Sequence, residues 1–321
     1  VPFLVELVAA PKVKDRAAIL GLLANIATLD DHEQWLLEGF PANVPTTVPA
    51  VFRRSIAAVH AGSATYAALL KDKDALVRSA AAFLLAWIPV AAATTVPLVR
   101  AALDAEKDDA ASAALCLALA YLDPKASFDK QLGAKSAAVK TAAALATAHV
   151  KRGDVDAKVR SLLAAAAVKK TLEVPGFPWL GGDLAFFAVR VLSAMSGDTD
   201  AFLISAIEAG GKGASFAANV VARRLFTPVA KAANANRARA QITRRDQEDD
   251  RILAELPVRL DAVDTTQRRF LDALAKSDAG YDNGLVAALG ERGLPTTQPL
   301  MQRFVAGPQP AAKSVLDREI A

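Results

Sequence analysis

A chain of 321 residues with 38 basic and 34 acidic side chains has a net charge of only +4. That is a mixed solvated surface, not the concentrated positive charge of a dedicated nucleic-acid binder. Hydrophobic residues make up 53% of the chain but aromatic ones only 6%, and the apolar share is mostly alanine, leucine and valine, which favours closely approaching helices. Cys116 is the single cysteine, which excludes an intrachain disulfide, and the length suits two ordinary domains or one long array.

From the N-terminus the pattern predicts short helices in pairs. Pro2–Val8 forms a first helix, with Pro2 in the first turn where a missing N–H costs nothing. Asp15 opens a second through Ile19, Leu20, Leu23, Ala24 and Ala27. Residues 29–56, with DDHEQWLLEGFPANVPTTVP, read as a proline-rich inserted loop. Ala64–Leu70 follows as a helix, and Asp74 opens the next. In that helix Val77, Ala80, Ala81, Leu84, Leu85 and Ile88 fall at i, i+3, i+4, i+7, i+8 and i+11, one face of a 3.6-residue period.

Ser79 to Leu98 holds no charged residue, but Pro89 and Pro97 break it and Thr94 and Thr95 lie between them. Two helices meeting at a turn are expected rather than a membrane span, the second being Val96–Leu103 with Pro97 in its first turn. The same face recurs at Ala111, Ala114, Leu115, Ala118, Leu119 and Leu122, and again at Val139, Ala142, Ala143, Ala146, Thr147 and Val150. A fourth copy is Leu184, Phe187, Ala188, Val191, Leu192 and Met195, and a fifth is Ala214, Ala217, Ala218, Val221, Ala222 and Leu225. Partner helices are predicted at Phe128–Leu132, Val159–Ala167 and Ala201–Ala209. Asp15, Asp74, Asp109, Ser136 and Asp183 are placed to cap N-termini.

Residues 171–183, TLEVPGFPWLGGD, form a second insertion. After Pro228 the pattern changes: a basic stretch leads into Asp246, Glu248, Asp249 and Asp250, and less regular helices run to about Phe304. The tail GPQPAAKSVLDREIA reads as a loose end or a last capping helix.

The anchors recur at about 30 residues, with longer gaps at the insertions, the range of two-helix repeats. LLKDKDALVRSAAAFLLAWIP, residues 69–89, resembles a HEAT repeat: an apolar helix end, a charged turn with Asp72 and Asp74, then Val77-Arg78 opening the next helix. DAEKDDAASAALCLALAYLD is a second copy that lacks the Val-Arg pair. The resemblance covers about two thirds of the chain, and AAVHAG, FLLAWIP and RGLPTTQPLMQRFVAG are similar to segments of bacterial HEAT-repeat domain proteins. It implies an all-α fold, a right-handed α-solenoid of stacked antiparallel helix pairs, HEAT-like or armadillo-like. Residues 1–226 would be the array and 227–321 its less regular continuation with a C-terminal cap. Such arrays serve many unrelated partners, so the resemblance speaks to fold rather than function.

Chemistry-bearing motifs are sparse. Asp30-Asp31-His32-Glu33 lacks a second histidine at helical spacing and reads as a solvated loop. There is no HExxH, paired CxxC, calcium loop or GxSxG elbow, so no catalytic residue, metal or cofactor is expected. His60 and His149 fall at helix C-termini, where a partly charged imidazole is favourable. Cys116 and Trp87 read as buried helix residues.

Trp35, Phe177 and Trp179 are candidate partner-binding anchors; for all three the alternative is a lid folded over neighbouring helices. Arg223 to Arg245 is free of acids and includes Arg237, Arg239 and Arg244. It is a candidate patch for phosphates, an acidic protein or an anionic membrane, or a solvated helix paired with the following acidic run.

The expected function is a non-catalytic, cytoplasmic scaffold or adaptor that binds a protein partner through its concave face and inserted loops. The start at Val1 leaves a removed signal peptide open. The alternative is a nucleic-acid-binding solenoid resembling the HEAT-like alkylpurine DNA glycosylases. In that case Asp183 beside Trp179 would carry the chemistry, and Lys169, Lys170 and Arg190 would converge with the basic stretch.

Overall fold

The computed structural model describes residues 1–30, 41, 44–195, 198–229, 253 and 256–307. Among them every regular element is a helix, and the one β-type pairing is an isolated bridge between Glu173 and Asp183. The chain divides into two compact units, Val1–Ala167 with Thr171–Gly197, and Val168–Lys170 with Asp198–Ala321. This division falls earlier than the change of sequence pattern after Pro228.

The first unit contains α1 (Pro2–Ala9), α2 (Arg16–Thr28), α3 (Ala50–Ala61), α4 (Ser63–Leu69), α5 (Ala75–Ala86) and α6 (Ala92–Ala105). It continues with α7 (Asp109–Leu122), α8 (Asp129–Leu132), α9 (Ala137–Val150), α10 (Ala157–Ala167) and α11 (Leu184–Ala194). The template helices pack in chain order, α2 on α5, α5 on α7, α7 on α9 and α9 on α11. Each is also packed by the helix just ahead of it: α4 on α5, α6 on α7, α8 on α9 and α10 on α11. Alanine makes this possible, because small side chains let helix axes approach closely. Ser79 through Ala86 of α5 and Ala111 through Ala120 of α7 are buried without interruption. A helix apolar on every side must be covered on every side, and that explains why these two carry so few charges.

The caps are mostly as the sequence predicts. Asp74 accepts from the Leu76 amide, Ser136 from Val139, and Asp183 from both Ala185 and Phe186. Two differ. Asp108, not Asp109, caps α7, accepting from Ala111 at 2.9 Å while Asp109 occupies the first helical position. Asp15 adopts a left-handed conformation, φ 57, and its side chain makes no capping bond.

The insertion expected over 29–56 is shorter than read, because α3 begins at Ala50 directly after Pro49. Pro97 lies inside α6 rather than in its first turn. The short 3₁₀ turn Pro89–Ala91 runs into α6, and the Thr94 and Thr95 hydroxyls both donate to the Ala91 carbonyl. The segments 75–86 and 89–105 bend by 95° at the break, so the uncharged run is two helices. No single helix among the described residues is long and apolar enough to cross a membrane.

The second unit contains α12 (Asp200–Ala209), α13 (Ala214–Leu225), α14 (Thr265–Lys276), α15 (Asn283–Glu291) and α16 (Gln298–Ala306). α12 packs on α13 and α14, α13 on α15, and α14 on α16. A capping box starts α14, the Asp264 carboxylate accepting from the Gln267 amide while the Gln267 side chain accepts from the Asp264 amide. Arg292 is buried, and its guanidinium donates to the Phe226 and Ala288 carbonyls, both at 3.0 Å. The tail after Gly307 lies outside the described residues.

Candidate binding surfaces of the first unit

A column of rings runs along the first unit from buried Trp87 to half-buried Tyr121 and His149. Trp87, Tyr121 and His149 each lie ten residues after the first anchor of their repeat, Val77, Ala111 and Val139. Their ring centroids stand 5.2 Å apart for Trp87–Tyr121 and 4.1 Å for Tyr121–His149. On the other side Phe83 meets Trp87 edge-on at 5.7 Å and Trp179 at 4.7 Å. Trp179 in turn lies 5.3 Å from Phe177.

This column decides the state of His149. Burial, reinforced by the nearby charge of Arg152, lowers its pKa from 6.5 to about 4. A helix C-terminus favours an imidazolium by about 0.3–1 kcal/mol, whereas this lowering corresponds to about 3 kcal/mol against it. Desolvation wins and the ring is neutral. His60, in the last turn of α3, is also held below its ordinary value by burial, which the Trp87 backbone hydrogen bond only partly offsets. Both histidines occupy the predicted helix ends, but neither is the charged cap expected there.

A cleft of about 350 Å³ opens between the end of α4 and the C-terminal half of α6. Ala101, Ala102 and Ala105 line it, with Lys71 and Lys107 exposed beside them. The Arg78 Nε and Nη2 donate to the two Glu106 oxygens at 2.7 Å each, and Nη1 donates to the Asp72 carbonyl at 2.8 Å. Asp72 takes Arg16 Nη1 at 2.7 Å. Burial alone would raise the Glu106 carboxyl. Arg78 and the Asp108 and Lys107 amides outweigh it and hold the group below the usual carboxylate range. The ions thus compensate one another and tie the α4–α5 turn to the α6–α7 turn.

The insertion 171–183 folds back as a strap. It enters α11, yet it touches α5, three steps back along the row. The Ser79 Oγ donates to the Gly176 carbonyl at 2.7 Å, Gly176 sits against Leu76, and Trp179 meets Phe83. Within the strap the Val174 amide donates to the Gly182 carbonyl at 2.9 Å and the Leu184 amide to Leu172 at 3.1 Å.

The expected anchors Phe177 and Trp179 are therefore corrected: they are 3% and 0% exposed and face the protein, as the lid alternative describes. Asp183, proposed to carry chemistry beside Trp179, is 1% exposed and caps α11. Trp35, Arg237, Arg239 and Arg244 lie outside the described residues, as do His32 and Glu33.

At the described end of the basic stretch, Arg224 pairs with Asp200 at 2.8 Å and Arg223 with Glu291 at 3.8 Å. Lys169 and Lys170 belong to the second unit and Arg190 to the first, where its guanidinium stands 6.0 Å over the Phe186 ring. Cys116 is buried, and burial pushes its thiol up to about 12. Among the described residues no three His, Cys, Asp or Glu side chains gather where they could hold a metal ion.

Sequence reasoning missed Ser79 and Phe83. Both stand off the template face, at i+3 and i+7 from Leu76, and the signal was available: FLLAW is apolar all round, which calls for a second covering element. Comparison with family models, with curated proteins and with solved structures finds no match to this chain.

Proposed function

We propose that this chain is a non-catalytic, cytoplasmic scaffold or adaptor built as a HEAT-like α-solenoid, and that its partner is a protein. The observation that carries this reading is the ring column: equivalent repeat positions, Trp87, Tyr121 and His149, touch one another in sequence order. Repeat-on-repeat stacking puts equivalent side chains in register, and stacked repeats present long surfaces to partners. The α4–α6 cleft is such a surface. Its buried charges are already matched, which leaves an alanine floor and two exposed lysines for an acidic segment.

A nucleic-acid partner is the competing reading. The described arginines of the basic stretch pair with acids, and the Trp179–Asp183 pairing is buried, which favours the protein partner. The test combines two measurements on the full chain. Labelled duplex and single-stranded DNA are titrated at low and moderate salt, with no binding expected; tight, steeply salt-dependent binding would overturn the scaffold reading. Crosslinking in the source cell is expected to join Lys71 and Lys107 to one protein, and Lys71→Glu with Lys107→Glu to abolish that adduct.

A further inference from the structure

We propose that the Leu76–Ser79–Phe83 stripe of α5 is a binding site for an extended, aromatic peptide segment, occupied in cis by residues 174–180. This deepens the scaffold reading and rests on it only for the partner being a protein. The stripe lies at i, i+3 and i+7, one line along the helix. What the strap offers it is what a bound peptide offers: a main-chain carbonyl to the Ser79 hydroxyl, a close backbone approach over Leu76, and an indole edge-on to Phe83. Leu76 remains 50% exposed, so the stripe opens to solvent at one end.

The occupant fits the stripe better than it fits itself. Leu180 holds a left-handed backbone, φ 48 and ψ 41, next to Gly181 at φ 62 and Gly182 at φ 89. A non-glycine residue in that region is strained, and such strain persists only where surrounding contacts impose it. The Trp179 Nε1 proton has no protein acceptor, and the Asp183 Oδ2 has no protein donor, although both atoms are buried. The strain falls on the short return into α11, whose first residue is Leu184. A partner segment that need not make that return forms the same contacts without that strain. The two successive glycines ahead of Asp183 supply the hinge.

Occupation in cis sets the competition. A short tether gives an effective concentration on the order of millimolar, so a free peptide meets an occupied stripe in the native chain. The test uses the full chain with residues 174–180 replaced by glycine and serine, its fold checked by helical circular dichroism and by protection of the Cys116 thiol. A labelled synthetic peptide of residues 171–183 is titrated into both proteins. Saturable binding to the substituted chain is expected, at least tenfold tighter than to the native chain and abolished by Phe83→Ala. Equal binding to both, or none to the folded substituted chain, overturns the proposal.

Should the substituted chain lose its helices, hydrogen exchange on the unaltered protein decides. The Val174, Phe177 and Leu184 amides are expected to exchange through a local opening, ahead of α7 and α9. Exchange of all of them only with global unfolding overturns the proposal. The DNA titration and the crosslinking above are untouched by either outcome, so the stripe and the scaffold reading fail separately.

Discussion

His149 gives the most direct energetic test, because its state is set chiefly by burial, with Arg152 adding to it. In the unfolded chain the imidazole titrates near 6.5, and in the fold, desolvated against Tyr121 with Arg152 nearby, near 4. The folded form therefore resists a proton that the unfolded form accepts. Above pH 6.5 the ring is neutral in both states and the fold loses nothing. As the pH falls below 6.5 the unfolded state gains about 1.4 kcal/mol per pH unit from this residue, reaching about 3 kcal/mol near pH 4.

Asp72, Glu106 and Asp282 are held below their ordinary range. Their stabilisation is complete above that range and is lost only as the pH falls through it. The window from pH 6.5 to 5 is thus left to histidine, and there His149 costs about 2 kcal/mol. Urea unfolding followed by tryptophan emission reads it, since all three tryptophans precede residue 180. His149→Phe keeps an aromatic ring beside Tyr121 and removes the titration. Its stability is expected to fall by about 2 kcal/mol less than that of the native chain between pH 6.5 and 5. His60 shares the direction of the shift and remains in both proteins, so it cancels. Parallel pH profiles for the two proteins would refute the burial argument.

Glu106→Ala strips the Arg78 guanidinium of both short bonds and leaves it the Asp72 carbonyl. A loss of about 3 kcal/mol in urea unfolding is expected, and a loss below about 1 kcal/mol would mean that water replaces the carboxylate freely. Gly211 has φ +113, and a Cβ there would overlap the Lys170 carbonyl oxygen. Gly211→Ala should cost more than about 2 kcal/mol by helical circular dichroism melts, while Gly280→Ala, with open space around it, should be near neutral. The Cys116 thiol, buried and raised to about 12, should resist a thiol reagent in the native protein and react at a rate that follows unfolding in urea.

The template helices were legible because period and caps are local. Val77 through Ile88 announces its core face within three turns, and Asp74 marks its start. What escaped the sequence lies beyond that range. α3 hid behind the prolines ahead of it, although Pro49 is the residue from which it starts. Asp108 and Asp109 are chemically alike, and only the backbone says which one stands outside the helix. The strap's destination depends on a contact between Ser79 and Gly176, 97 residues apart, for which no period exists. The same holds for the histidines: a helix end is visible in sequence, but the Tyr121 ring that packs on His149 arrives from another helix.

One position of the template face, followed along the chain, changes its chemistry from copy to copy. Ten residues after the first anchor stand Trp87, Tyr121 and His149, then Ala194, then Arg224. The first three are rings that touch in order. Ala194 has no ring to extend the column, and beside it Met195 packs on Gly153 instead. Arg224 is a cation that turns to Thr199 and Asp200 within its own unit. The helical period continues unbroken through all five copies, so period alone does not reveal the division of the chain after Gly197. The chemistry at this single position changes along the chain: touching rings in three copies, a methyl group in the fourth, and in the fifth, which lies in the second unit, an ion-paired guanidinium.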